Sequence, residues 1–388
     1  MSNQRIEQIR SYMERKELDL TILCLSENIV LVSEAYWPRN GLALAMIPKK
    51  GKPVLLVPKP ELEDTNQVES FEVHTFGCVK LSEGNSYDNI VAAIKVCQSK
   101  WSLPSKVAIG IELDPQIATP ALCDGEIILP GNLTKNAVKN SFEDVRFLDI
   151  LPCISWLRKN KLSFEQHRIE KANRVAHDGL TYFKELLDKG EKLTEIQLAS
   201  NVEAYIAQNA HKYDIRYARA WAQVSSGIKT ADAWNAGIVT SSRAIEKGDL
   251  VMIEMGTIAD GYFCDLTMTY TLGETDRQRK TMLMAVEEAQ IAALQTIKAG
   301  IMAREVDQAA REVLEHYQLD SYFVHGTGHG TGFAYHDGSP YLSPSSEDIL
   351  ETGMIHSVEP GVYIPGFGGV RFEVNVLVTN EGCVILGK

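Results

Sequence analysis

The 388-residue chain contains no Cys-x-x-Cys pair. Its seven cysteines, an odd total, are scattered at 24, 78, 97, 123, 153, 264 and 383, which argues against a disulfide framework or a cysteine-held structural zinc. No apolar run approaches the ~18 residues of a membrane-spanning helix, so no membrane partner is expected. Positive charge is also scarce. With 39 Lys and Arg against 51 Asp and Glu, the net charge of -12 argues against a broad attraction to nucleic acid or anionic lipid. The opening Met-Ser-Asn-Gln-Arg-Ile-Glu-Gln-Ile-Arg lacks the apolar stretch of a secretory signal, and the expectation is a soluble, reduced, cytoplasmic protein. What remains is an ordinary globular composition, 45% hydrophobic and 23% charged, with length for two or three domains.

The first 150 residues mix short apolar runs with helical patterns. Strands are expected over 18–25, 42–47, 54–57 and 107–112, with a turn through Gly51, and a helix over 87–99. That alternation predicts an α/β domain. The pattern changes around Trp156–Ser163, where Ser163 with Gln166 predicts the capped start of a long helix, so the domains are read as 1–157 and 158–388. Ile169, Ala172, Val175, Ala176, Leu180, Phe183 and Leu187 form its apolar stripe, which stops at Gly190. Thr194 with Gln197 opens another helix. Two more carry Leu283 to Ile297 and Val306 to Tyr317, and 248–273 and 353–387 read as antiparallel strands. Tyr36, Trp37, Trp221 and Trp234 are individually read as buried aromatics.

Chemistry concentrates in the second half. Asp260-Gly261 is a strong two-residue hairpin turn. It sets Glu254 opposite Thr267, with Asp265 on the same face as a diagonal neighbour, a span that two carboxylates can bridge through metal ions. A second hairpin, centred near Gly366, would set Glu359 across from Glu373. Like charges directly opposed are destabilising, so that pairing makes best sense with a cation between them or with one acid protonated. Three histidines lie in His325-Gly-Thr-Gly-His329-Gly-Thr-Gly-Phe-Ala-Tyr-His336, where alternating glycines permit close backbone approach. The Lys-Ser/Thr of a phosphate-binding P-loop is absent.

These residues resemble the pita-bread metallopeptidase superfamily, which includes methionine aminopeptidases, Xaa-Pro aminopeptidases and Xaa-Pro dipeptidases. The resemblance covers roughly residues 160–388, and the preceding domain resembles the creatinase-type N-terminal domain of the proline-specific branch. It implies an α+β chain: a C-terminal pita-bread fold preceded by a smaller α/β domain. It places metal ligands at Glu254, Asp265, His329, Glu359 and Glu373. Asp265 and Glu373 would bridge two ions, His329 and Glu359 would complete one site, and Glu254 the other. Oxygen donors with one imidazole suit manganese, cobalt, iron or zinc. Glu359 would act as general base and His336 would hydrogen-bond the scissile group, while His325, Tyr363 and Arg371 fall on positions that shape the substrate site. A homodimer acting on a small peptide or peptide-like substrate is implied.

The chain departs from that pattern at four places. Glu254 stands where Asp is usual, Asn235-Ala236-Gly237 replaces a Pro-His-Gly segment, Met268 replaces an arginine, and Val374 follows the final Glu in place of an acid. The leading expectation is metal-dependent hydrolysis of a C–N bond, most specifically an Xaa-Pro link. A metal-independent, creatinase-like hydrolase and a non-enzymatic peptide-binding protein are the alternatives.

Overall fold

The computed structural model describes residues 3–37, 42–78, 81–113, 132–190, 192–235 and 239–388. They divide into two units, one ending at Arg158 and the other comprising Lys159–Lys388.

The first unit opens with helix α1 (Gln4–Arg15), whose first turn is capped by Asn3: its side chain accepts from the Arg5 and Ile6 amides. Strand β1 (Leu20–Leu23), helix α2 (Ser26–Ser33) and strands β2 (Leu44–Pro48), β3 (Val54–Pro58) and β4 (Glu72–Phe76) follow. Helix α3 (Ser86–Gln98), β5 (Lys106–Ile111), α4 (Asn132–Lys139), β6 (Asp144–Asp149) and α5 (Leu151–Lys159) complete the series, α5 ending at the unit boundary. The six strands form one sheet in the order β4-β3-β2-β1-β5-β6. β1 to β3 and β5 are apolar and almost wholly buried, the signature of strands covered on both faces. The expected turn through Gly51 is present, with φ of 104°, joining antiparallel β2 and β3.

The second unit runs two helices into an antiparallel sheet, twice. Its first half has α6 (Ser163–Asp188), α7 (Glu195–Asn209) and β7 (Ala218–Ser226), β8 (Leu250–Ala259) and β9 (Tyr262–Thr271), with sheet order β7-β8-β9. Val175, Phe183, Leu198 and Val202 of the helices pack on Val224, Ile253 and Leu266 of the sheet. The second half has α8 (Arg277–Thr296) and α9 (Ala303–His316), then β10 (Gly328–Gly330), β11 (Gly338–Leu342), β12 (Ile355–Val358), β13 (Gly361–Ile364), β14 (Gly368–Arg371), β15 (Val374–Val378) and β16 (Cys383–Ile385). Its five-stranded sheet has the order β11-β10-β12-β15-β16, and β13-β14 form a hairpin. Met282, Val286, Val306 and Leu314 pack against Leu342, Val358 and Val376 in a second core.

One expected cap shifts. α6 begins after Leu162, and the reach-back comes from Glu165, whose Oε2 accepts from the Leu162 amide at 2.6 Å, so the Ser163–Gln166 pairing does not form the cap. Glu165 is fully buried, so its carboxylate has this orphan amide in place of water. The Thr194–Gln197 box forms as expected, with Oε1 of Gln197 accepting from the Thr194 amide at 2.9 Å. Trp234 is 55% exposed, contrary to the buried reading, whereas Trp37 is fully buried and donates from Nε1 to Glu61 at 2.8 Å. Among the described residues, no helix is long and apolar enough to cross a membrane.

Candidate metal centre

Two hairpins deliver the acids. In the first, Ala259 pairs with Tyr262 across an Asp260-Gly261 turn in which both residues have positive φ, 46° and 83°. Glu254 therefore pairs with Thr267 and Gly256 with Asp265, which places the two carboxylates on one face. In the second, Val358 pairs with Val374 and Gly361 with Arg371, so one register runs through Glu359 and Glu373 without a ladder bond between them. Their amides turn outward instead: Glu359 N donates to Thr327 O at 2.8 Å and Glu373 N to Thr267 O at 2.9 Å. The ladder opens where the two acids meet.

Other side chains hold that opening in place. Gln290 on α8 donates from Nε2 to the carbonyls of Val358 at 3.0 Å and Phe372 at 2.8 Å, one residue before each acid. Asn375 brackets the backbone of Asp265, accepting from its amide at 3.0 Å and donating to its carbonyl at 2.9 Å. The glycines flanking His329 have a steric purpose. A Cβ on Gly328 would lie 2.1 Å from the Ser357 carbonyl, so only glycine lets β10 approach that close.

The side chains converge. Asp265, His329 and His336 form one group, His329, Glu359 and Glu373 a second, and Glu254, Asp265 and Glu373 a third, with the potential ligand atoms of each lying within 4.8 Å of one another. His329 Nδ1 donates to Gly330 O at 3.0 Å. The other ring nitrogen, Nε2, is thereby aimed at Glu359 Oε1 at 3.3 Å and Asp265 Oδ2 at 3.4 Å. Asp265 Oδ1 and Glu373 Oε1 are buried and find no hydrogen-bond donor. Burial, reinforced by the Glu359 charge, pushes Asp265 well above the usual carboxylate range. Glu373 rises well above it too, through burial and the Asp265 charge. Burial and the Glu373 charge push Glu359 up to about 8. Acceptors facing acceptors in a dry site fit a divalent cation, which supplies the missing positive charge.

The remaining predicted residues form a second layer. Arg371 donates from Nη1 to the Tyr363 hydroxyl at 2.6 Å, and that hydroxyl meets His325 Nε2 at 2.9 Å. His325 Nδ1 lies 2.8 Å from the Gly326 carbonyl, so both of its nitrogens are engaged, and burial holds its pKa down to about 4. Arg371 Nη2 donates to Glu254. His336 packs at a tilt against His329 with ring centroids 4.0 Å apart, keeps a buried Nδ1 without a partner, and is pushed down to about 3 chiefly by burial. Ala236 and Gly237 lie outside the described residues.

Two participants carry no warning in the sequence pattern. Thr267 Oγ1 lies 2.6 Å from Glu254 Oε2 and 2.8 Å from Glu373 Oε2, and with one proton it donates to one of them at a time. Tyr335 donates to Glu254 Oε1 and packs edge-on against Trp221, ring centroids 6.4 Å apart. The hairpin register sets Thr267 directly opposite Glu254 but marks no role for its hydroxyl; Tyr335 reads as one more aromatic beside a histidine.

Comparison with known proteins agrees with this geometry. Residues 167–380 match the model described as Metallopeptidase family M24. The chain belongs to that family. Residues 5–125 match the Creatinase/Prolidase N-terminal domain, so the chain joins a creatinase-type α/β domain to an M24 pita-bread fold. It is 33% identical to an Xaa-Pro dipeptidase of Pyrococcus furiosus over 67% of this chain and 73% of that protein. A second Xaa-Pro dipeptidase, from Pyrococcus horikoshii, is 29% identical over 100% of this chain and 97% of its own length. The crystal structure of a prolidase from Pyrococcus horikoshii OT3 superposes with a TM-score of 0.77 at 26% identity, covering 100% of this chain and 98% of that one. M24 metallopeptidases are metal-dependent hydrolases of peptides, and the candidate donor groups lie within the M24 match.

Proposed function

We propose that this chain hydrolyses Xaa-Pro peptide bonds, as a dipeptidase or aminopeptidase, with divalent metal held by Asp265, His329, Glu359 and Glu373 and with Glu254 beside them. One observation carries the reading: three buried or nearly buried carboxylates and the His329 ring converge, and Asp265 Oδ1 and Glu373 Oε1 among them have no hydrogen-bond donor. The named Xaa-Pro dipeptidase relatives support the choice of bond. Manganese, cobalt, zinc and iron all suit oxygen donors with a single imidazole. Bound there, such metal supplies Lewis acidity, lowering the pKa of a water and offsetting the charge that develops on the amide oxygen.

The chain's own groups do the rest. Glu359, kept ionised once a cation is bound beside it, would take the proton of the attacking water and return it toward the leaving nitrogen. His336 is neutral and has an unpartnered ring nitrogen with which to hydrogen-bond the scissile group. Arg371, Tyr363 and His325 form a connected rim whose orientation is fixed by its own hydrogen bonds, which suits them to position the substrate. The protein acts in this reading as a cytoplasmic homodimer.

The test is a metal-supplemented screen of Xaa-Pro dipeptides, longer Xaa-Pro peptides, creatine and cyclic amidines. Cleavage of an Xaa-Pro substrate supports the reading, and turnover confined to creatine or an amidine replaces it. Glu359→Gln should lower kcat by about 100-fold or more with the far-ultraviolet circular dichroism unchanged. A Gln variant as active as the parent removes Glu359 from the proton-transfer role.

A further inference from the structure

The position occupied by Glu254 separates from the other four donors in its surroundings. Both of its oxygens are met by donors: Oε1 by the Tyr335 hydroxyl and Oε2 by Arg371 Nη2, with Thr267 Oγ1 2.6 Å from the same Oε2. The guanidinium that holds it is itself tied down. Arg371 is 5% exposed, donates from Nε to Thr267 Oγ1 at 3.1 Å and from Nη1 to the Ala233 carbonyl at 2.9 Å, and so has no water to turn to. Asp265 and Glu373, by contrast, are 1% and 2% exposed and each keeps a bare oxygen.

Charge separates them further. Glu254 and Arg371 cancel. Asp265, Glu359 and Glu373 bring three negative charges when ionised, and one divalent ion reduces that to one. A second divalent ion, seated against Glu254, would make the buried cluster net positive and would stand beside a guanidinium, a repulsion the low dielectric of the interior strengthens.

We infer that Glu254 is a positioning residue, the counter-ion that orients Arg371, and that the chain holds one ion, on Asp265, His329, Glu359 and Glu373, without Glu254 as a ligand. This rests on the metal reading proposed above. The longer arm of glutamate is what reaches Arg371. An aspartate on the same strand position, one methylene shorter, would fall back from the guanidinium and leave a carboxylate facing Asp265 and Glu373.

The experiment counts manganese ions per chain in the full-length protein, by elemental analysis after gel filtration and by calorimetric titration, for the parent, Glu254→Asp and Tyr335→Phe. The parent should retain one ion, with any second binding at least about 100-fold more weakly. Glu254→Asp should gain a second retained ion. Tyr335→Phe, which removes one donor from Glu254, should tighten the second ion by about tenfold. Anomalous scattering from a manganese-loaded crystal should show a single strong peak, with Glu254 still on Arg371. Two ions of similar affinity in the parent, Glu254 in the coordination sphere, or a Glu254→Asp protein that still holds one ion would each overturn the inference while leaving the metal reading standing. No ion in any of the proteins would overturn the metal reading itself. If Glu254→Asp fails to fold, the parent's count and anomalous map decide the matter alone.

Discussion

Reloading the metal-free protein with manganese or cobalt should expel protons, because a cation and a proton compete for the same carboxylates. With its carboxyl at about 8, Glu359 alone holds about 0.9 proton at pH 7 in the metal-free state. Asp265 and Glu373 are pushed the same way by burial and by neighbouring carboxylates, which adds to the release in the same direction. At pH 9 the Glu359 share falls to about 0.1 proton. Calorimetric titration in two buffers of different ionisation enthalpy reads this number directly. The same groups give the metal-free fold a slope of definite sign. A carboxyl whose folded pKa lies above its unfolded value contributes stability that is complete below the unfolded pKa and disappears as pH rises through the folded one. For Glu359 that window runs from 4.5 to about 8 and is worth up to about 5 kcal/mol at ~1.36 kcal/mol per pH unit. Thermal melts of metal-free protein should therefore fall between about pH 7.5 and 8.5, above the titration of the unfolded histidines, and metal or Glu359→Gln should flatten the trend. Proton release near zero at pH 7 would refute the reasoning, since the carboxylates would then be ionised without any cation to hold them.

Two further outcomes test the scaffold. Gln290→Ala strips both donors from the Val358 and Phe372 carbonyls and should cost about 1–3 kcal/mol in urea unfolding while weakening metal binding; an unchanged midpoint would mean water replaces the amide without loss. Acid should destabilise through the buried histidines. Burial lowers His177, His325 and His356 to about 4 and His336 to about 3, so the stability each contributes is complete above its unfolded value of 6.5 and is lost as pH falls toward those numbers, by about 1.4 kcal/mol per pH unit per histidine. A metal-loaded protein with a flat urea midpoint from pH 7 to 5 would contradict this.

What could be read from sequence follows the reach of each signal. The hairpins were legible because their turns are local: Asp260-Gly261 dictates the Glu254–Thr267 register, and the symmetry of the run about Gly366 carries Glu359 to Glu373. The long helices declared themselves by apolar spacing. Edge strands β4 and β6 did not, since their half-exposed residues alternate too weakly to stand out. Gln290 was invisible for another reason. It lies on a helix 68 residues from Val358, and nothing in its neighbourhood marks a glutamine as a backbone clamp. The hardest case is Glu254. Its strand register was correctly foreseen, and register fixes where a Cα sits and which face a side chain leaves from. It does not fix what the last two bonds of a glutamate find. Here they find Tyr335 and Arg371, 81 and 117 residues away. Two chains with the same five ligand-type residues in the same register can therefore differ in how many of those residues remain free for metal, and the difference lies in the neighbours of the carboxylate.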